Sequence, residues 1–576
     1  MCPEPFTVED GVQRVRGLLV DAHLSLDTED SEDAKKVAQR ALDQIDDFIL
    51  PRLTDIEAPL LAVVGGSTGA GKSTLVNSLL DEDVSAASAI RPTTRRPLLV
   101  ANEKEMPHFR SDRVLGGLRR VKGGGPDAAA VGSVEGHPGD LSVGLHVSPQ
   151  IPDHMALLDA PDIDSISDAN RALAKQLLDA ADLWLFVTTA ARYADAAAWA
   201  ILDEAAARGI VVGVVLNRVP RGAATEVAAD LRALMAQRGL VDSPLFVIDE
   251  SPLSPEGLLP PAAIAPLRDW LEGVVADRET RLAVARAALS GALRRLQLEA
   301  DQVAAALETQ DEALSDMRKV VDNTYEDATE EVLAAITDGS LLRSEVLDRW
   351  QDFVGTSDVF RSFEKWFAGM GDRVAGFFRG VPSQVKEVEH EITGGVTALL
   401  VDEAGESAAT CWKTLRSTQA GRALFTDPAL GRETEGTQER AGELVHAWQD
   451  DLFQLVRAET PKKRQRARAL SLGLNTLTVA LMLAVFASTG GLLGGELAIA
   501  GGSAVIGQKL LETIFGDQAI RKLTLEAAGM LRTRTQEFFA VESSRYLELI
   551  DAASAGTSPS ELYGAARTLS EQGLGQ

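Results

Sequence analysis

The chain is poor in sulfur, histidine and aromatic rings. Two cysteines, Cys2 and Cys411, stand among 576 residues. No disulfide framework is therefore expected, and a reducing compartment suits the chain. Cys2 lies in no lipidation motif. The seven histidines (His23, His108, His137, His146, His154, His390 and His446) show no metal-ligand spacing with one another or with a cysteine. No zinc site and no nucleophile–His–Asp arrangement is expected. Basic residues are also short, 57 against 85 acidic, for a net charge of −28. That balance argues against general nucleic-acid binding, which needs a basic face, yet leaves room for a local patch. The opening stretch MCPEPFTVED has no apolar run, so no secretory signal is expected.

What is present is a phosphate-binding motif. Gly65 to Thr74 reads GGSTGAGKST and contains G-x-x-x-x-G-K-[ST] as Gly66, Gly71, Lys72 and Ser73. The apolar run Pro59–Val64 precedes it, and Leu75, Val76, Leu79 and Leu80 follow at helical spacing. The loop thus joins a strand to a helix, the context that gives the motif its meaning. Gly66, Ser67, Thr68, Gly69, Ala70, Gly71, Lys72, Ser73 and Thr74 are expected to wrap backbone N–H groups around phosphate oxygens at a helix N-terminus. Lys72 is expected to reach the β- and γ-phosphates and the Ser73 hydroxyl to ligate Mg²⁺.

Strand-like runs at 60–64, 97–101, 155–158, 183–188, 210–216 and 244–248 alternate with helical patterns at 72–81, 168–181, 193–208 and 223–238. Alternation of this kind predicts an α/β domain with a mostly parallel sheet over 58–275, with ligands at the carboxyl ends of the strands. Residues 111–150, with Gly123-Gly124-Gly125-Pro126, read as a loop-rich insertion. Residues 1–57 read as two amphipathic helices packing on a helical bundle, separated by the acidic cluster Asp27 to Asp33.

About twenty residues past the loop, Thr94-Arg95-Arg96-Pro97-Leu98 resembles the T-R-R-P-L of dynamin-superfamily GTPases. Leu157-Leu158-Asp159-Ala160-Pro161-Asp162 is similar to their D-x-x-G segment, with Asp162 in place of the glycine. Val215-Leu216-Asn217-Arg218-Val219-Pro220 is similar to [NT]-K-x-D, with Pro220 in place of the base-reading aspartate. Gly69 lacks the side chain that dynamins place before their A-G-K-S segment. The resemblance is to a bacterial dynamin-like P-loop GTPase. It implies binding and hydrolysis of GTP, with GDP as product and Mg²⁺ held by Ser73, Thr94 (Thr93 second) and Asp159. It implies Lys72, Thr94 and Thr68 as catalytic groups, Asn217 and Arg218 on the base side, and assembly as a homodimer, an oligomer or a paired GTPase. Two alternatives stay open. One is a nucleotide-binding scaffold with little hydrolysis. The other is an ATP-using P-loop protein; an ATP-binding cassette fits poorly, since Ala160 follows Asp159 where an acid is needed.

Residues 276–460 predict a long helical region, by sequence alone a helical bundle, which resembles the helical stalk of dynamin-like proteins. Leu296, Ala300, Val303, Leu307, Gln310, Leu314, Met317 and Val321 step by four and three, a coiled-coil-like seam with one polar member. Further helical patterns fall at Val346–Phe353, Phe360–Phe367 and Leu444–Leu455; Trp350, Trp366, Trp412 and Trp448 read as core fillers. Over 461–515, Lys462, Lys463, Arg464, Arg466 and Arg468 precede an uncharged run from Ala469 to Gly495. As a helix at about 1.5 Å per residue, Ala469 to Ala487 would run roughly 28 Å, close to a hydrocarbon core of about 30 Å. A second uncharged arm, Leu497 to Gly507, and the cations Lys509, Arg521 and Lys522 predict an apolar membrane hairpin. Both its flanks would lie at the cytoplasmic face of the cell membrane, attracted to anionic lipid. The alternative is an apolar hairpin buried inside a soluble bundle. Residues 516–576 read as a returning bundle helix and a loose tail from Ala552.

Overall fold

A computed structural model describes residues 7–85, 96–111, 114–122, 142–162, 168–337, 383–459, 474–486, 511–512, 514–554 and 556–573. The chain divides into two compact units. The first comprises Met1–Leu24, Glu29–Glu308 and Gly556–Gln576; the second comprises Ser25–Thr28 and Thr309–Ala555.

The first unit is built on a sheet with strand order β3-β4-β2-β5-β1-β6-β7-β8. The strands are β1 Leu60–Gly66, β2 Leu98–Ala101, β3 Arg119–Lys122, β4 Ser142–Val147, β5 Met155–Asp159, β6 Leu183–Thr189, β7 Val211–Val219 and β8 Leu245–Asp249. β5, β1, β6, β7 and β8 run parallel, while β2 pairs antiparallel to β5. The expected α/β domain with a mostly parallel sheet is therefore present. β1 is buried along its whole length because both faces are covered. Leu61 and Val63 enter one apolar cluster, and Leu60, Ala62 and Val64 enter the other. That division is the two-residue period of a strand. Helices form at Lys72–Leu80, Asp168–Asp179, Ala196–Arg208 and Ala224–Gln237, close to the expected positions, with a further one at Pro261–Ala276.

Two expectations for this unit need correction. The 111–150 stretch contains β3 and β4, which pair in parallel with each other. Four and six residues long, they are too short for their alternation to stand out beside the glycines. The tail is also ordered where looseness was expected. Pro559–Gly573 is a helix that buries Leu562, Ala565, Ala566 and Leu569 in a cluster with Val12, Val15 and Leu296. Its apolar spacing of three and four was hidden behind the Gly556–Pro559 breaker signals. The N-terminal helices Val8–Val20 and Ser31–Gln44 join that same cluster.

The helix Arg278–Thr337 is 60 residues long. Every predicted seam residue on it is buried, Gln310 included. In the second unit, Gln310 is satisfied by the backbone N–H of Leu26, which donates to its Oε1 at 3.0 Å. This unit packs the helices Ser383–Leu415, Thr437–Ala458 and Asp517–Ala553 around one core. Trp448 is fully buried, as expected, and its indole N–H donates to Ala527 O at 3.0 Å. Trp412 is only partly buried, at the edge of that core beneath Arg416. Trp350, Trp366 and the patterns at 346–353 and 360–367 lie outside the described residues.

Of the proposed membrane segment, the helix Leu474–Phe486 and part of 511–515 are described. Every residue from Thr476 to Phe486 is buried in the core of the second unit. Phe486 lies 6.0 Å from the Trp448 ring, centroid to centroid. Among the described residues, no helix is long and apolar enough to cross a membrane.

Candidate functional site: a phosphate-binding edge

The carboxyl ends of β1, β5 and β7 place three motifs along one sheet edge. β1 ends at Gly66, which pairs beside Val187 of β6. Its φ is +147°, and a Cβ there would stand 2.0 Å from Val187 O, so only glycine fits. The loop closes through Ala70 N–H donating to Ser67 O at 3.1 Å. Gly71 has φ +93° and starts the helix at Lys72. A Cβ on Gly71 would meet Asn217 Nδ2 at 2.5 Å, so the loop and the end of β7 are fitted to each other.

Asn217, 3% exposed, clamps the loop directly. Its Nδ2 donates to Ala70 O at 2.8 Å, and its Oδ1 accepts from Arg218 N–H at 2.9 Å. Arg218 has a positive φ of 55°, which turns its backbone at the strand end. Asp249 pairs beside Val219 at the end of β8 and is exposed.

Lys72 is buried and uses its three donors inward. Nζ donates to Gly66 O at 3.0 Å and Ser67 O at 3.2 Å, and forms an ion pair with Asp162. Ser73 Oγ donates to Asp159 Oδ2 at 2.9 Å. Asp159 is fully buried and its Oδ1 has no partner among the described residues. Burial pushes its carboxyl above the ordinary range; hydrogen bonds from Ser85 and Ser73 and the Lys72 charge act the other way. Thr68 lies in the same loop, and its carbonyl accepts from Arg192 at 3.4 Å. Thr74 O accepts from Ser78 Oγ at 2.6 Å.

These residues fit a magnesium ion. Ser73 Oγ and the Asp159 carboxylate are hard oxygen donors already within hydrogen-bond distance, and the orphaned Asp159 Oδ1 is an oxygen in need of a cation or donor. Thr94, with Thr93 and Arg95, lies outside the described residues.

Sequence reasoning missed Ser85, whose Oγ donates to Asp159 Oδ2 at 2.5 Å. Asn77 brings it there: the Asn77 Oδ1 accepts from Ser85 N–H at 2.8 Å, and its Nδ2 donates to Ser85 O at 2.8 Å. A single serine in DVSAAS carries no pattern that could have singled it out. The Lys72–Asp162 pair was missed too, although the acid in the glycine position was the available signal.

Residues 61–218 match the family described as 50S ribosome-binding GTPase. Residues 61–218 therefore form a P-loop GTPase domain, as the loop, the Asp159 segment and the Asn217 segment led one to expect. Solved structures also match, and two of them are similar over nearly the whole chain. Both carry the description of an oligomerised bacterial dynamin pair that provides a mechanism for long-range sensing and tethering of membranes. One covers 99% of this chain and 96% of its own at 12% identity and TM-score 0.42. The other covers 100% and 96% at 11% identity and TM-score 0.41. A comparison with curated proteins finds no match.

Proposed function

We propose that the chain is a dynamin-like GTPase that binds GTP with Mg²⁺, hydrolyses it to GDP, and couples that cycle to movement of its helical part at a membrane. The observation that carries the nucleotide half is the meeting of Lys72, Ser73 and Asp159 at the end of β1 and β5. Lys72 would neutralise the β- and γ-phosphates while loop amides hold their oxygens. Ser73 and Asp159 would hold Mg²⁺, which would supply neutralisation of the phosphate charge. Thr94 would complete the metal site and Thr68 would orient the attacking water. Asn217 and Arg218 would face the base.

The membrane half rests on the sequence of 461–515, a cationic flank followed by a run without charge. Attachment would be to anionic lipid at the cytoplasmic face of the cell membrane, by a homodimer, an oligomer or a pair with another GTPase. The T-R-R-P-L resemblance supports the dynamin-like reading and, with it, membrane remodelling.

Calorimetric titration with GTP, GDP and ATP in Mg²⁺ tests the nucleotide half; binding of GTP and GDP with ATP excluded is expected. Phosphate release with and without liposomes should exceed a Lys72→Ala control. Turnover no greater than that control would leave a nucleotide-binding scaffold, the second reading, which the Lys72–Asp162 pair favours. Deleting 469–507 should move the protein to the soluble fraction. Unchanged fractionation would remove membrane insertion.

A further inference from the structure

We infer that Asp162 sets the discrimination between triphosphate and diphosphate by competing with the γ-phosphate for Lys72. The inference rests on the nucleotide reading above and adds to it a residue that acts against the ligand. Lys72 Nζ has three protons, and all three are committed: to Gly66 O, to Ser67 O and to Asp162 Oδ1. Two of these acceptors are neutral carbonyls of the loop itself. The third is the one carboxylate ion-paired to Lys72 among the described residues. Lys72 is 5% exposed and the Asp162 side chain 18% exposed, so water screens the pair only in part. An anion arriving at Nζ must displace this carboxylate or share the lysine with it.

The cost differs between nucleotides. A P-loop lysine reaches the β- and γ-phosphates, whereas the loop amides hold the phosphates nearer the helix N-terminus. A diphosphate reaches the lysine only through its β-phosphate, which the loop amides also hold, so it disturbs the Lys72–Asp162 pair less. A triphosphate adds a γ-phosphate, which carries the largest single share of its charge, at the lysine tip where Asp162 already sits. The acid therefore penalises GTP more than GDP. Fully buried Asp159 lies three residues before it, so this end of β5 carries two carboxylates.

The full-length protein carrying Asp162→Asn or Asp162→Gly is titrated with GDP and with a non-hydrolysable GTP analogue in Mg²⁺, beside the parent. Asparagine keeps the shape and removes the charge; glycine removes both. Each is expected to tighten the triphosphate about tenfold and the diphosphate less than about threefold, the size of a partly screened like-charge contact. A parent that binds only GDP, with variants that bind both, would support the inference most strongly. An unchanged ratio of the two affinities in both variants, with the parent binding both ligands, overturns it and leaves the GTPase reading intact. No nucleotide bound by parent or variants overturns that reading as well.

Discussion

Asp159 in the first unit and Glu542 in the second are both fully buried carboxylates, and their surroundings differ in kind. Glu542 receives the Thr434 N–H at 3.0 Å, the Thr434 hydroxyl at 2.6 Å, the Thr437 hydroxyl at 2.8 Å and Arg440 at 2.6 Å. Both its oxygens are satisfied and a cation faces it. Burial raises its carboxyl, yet the hydrogen bonds from Thr434 and Thr437 and from Arg440 prevail and hold it below the ordinary range. Asp159 has hydroxyls on one oxygen and none on the other, and burial wins. A satisfied buried acid fixes a packing arrangement. An acid left short of partners at a sheet edge, beside a phosphate loop, is unfinished without a ligand. An orphan oxygen alone does not make this distinction. Asp182, at the opposite edge, also leaves Oδ1 without a partner. It pairs there with buried Arg52 and accepts from Leu61 N–H at 2.8 Å, so its charge is already compensated.

The sharpest way to break the comparison is at Lys72. Lys72→Ala should lower triphosphate affinity and phosphate release by about 10²–10³-fold, the loss typical of deleting one charge-stabilising donor. Thermal unfolding of the first unit should barely move. A variant that unfolds instead would make Lys72 a packing residue and erase the contrast.

Glu542→Gln tests the other side. It keeps the shape but places an amide N–H₂ among donors, and it should destabilise the helical unit by about 2–3 kcal/mol. Hydrogen exchange in the helix Asp517–Ala553 would report it. Nucleotide affinity should stay within about twofold, since a structural acid has no ligand to lose. Asn217→Ala comes next in size. It leaves the Ala70 carbonyl without its donor and should weaken GTP and GDP alike by about tenfold, one buried hydrogen bond. A loss confined to one nucleotide would show Asn217 acting on more than the loop.

How far the sequence could be read followed the range of the interaction. The P-loop and its flanking strand and helix are set by neighbours in the chain, and these were legible. So was the seam from Leu296 to Val321, since helical spacing is local. The Lys72–Asp162 and Ser85–Asp159 contacts join residues 90 and 74 positions apart, which no local period encodes. The helix Pro559–Gly573 was hidden for a local reason, the Gly556–Pro559 breaker signals before it, although its apolar face packs against Val12 and Val15 at the other end of the chain. The uncharged run after Arg468 is ambiguous in a different way. Lipid and a protein core are both apolar solvents, so composition cannot separate them. The described part, Thr476 to Phe486, is buried among the helices of the second unit.

The smallest expected effect is a pH dependence. The ordinary value for a glutamate is 4.5, and Glu542 titrates below it in the folded state. Its ionised form is thus favoured by folding. The stability it contributes is full above the unfolded-state value and is lost as pH falls through the folded-state one. Acidifying from about pH 6 to about pH 3 should therefore lower the urea midpoint at which the helix Asp517–Ala553 loses exchange protection. Glu542→Gln carries no such proton, so its midpoint should fall less, and the gap between the two proteins should narrow on the acid side. Other carboxylates titrate in the same range but are common to both proteins and cancel. A gap that stays constant down to the acid limit would mean that the Glu542 charge contributes nothing beyond its shape, and that the contrast with Asp159 lies in packing alone.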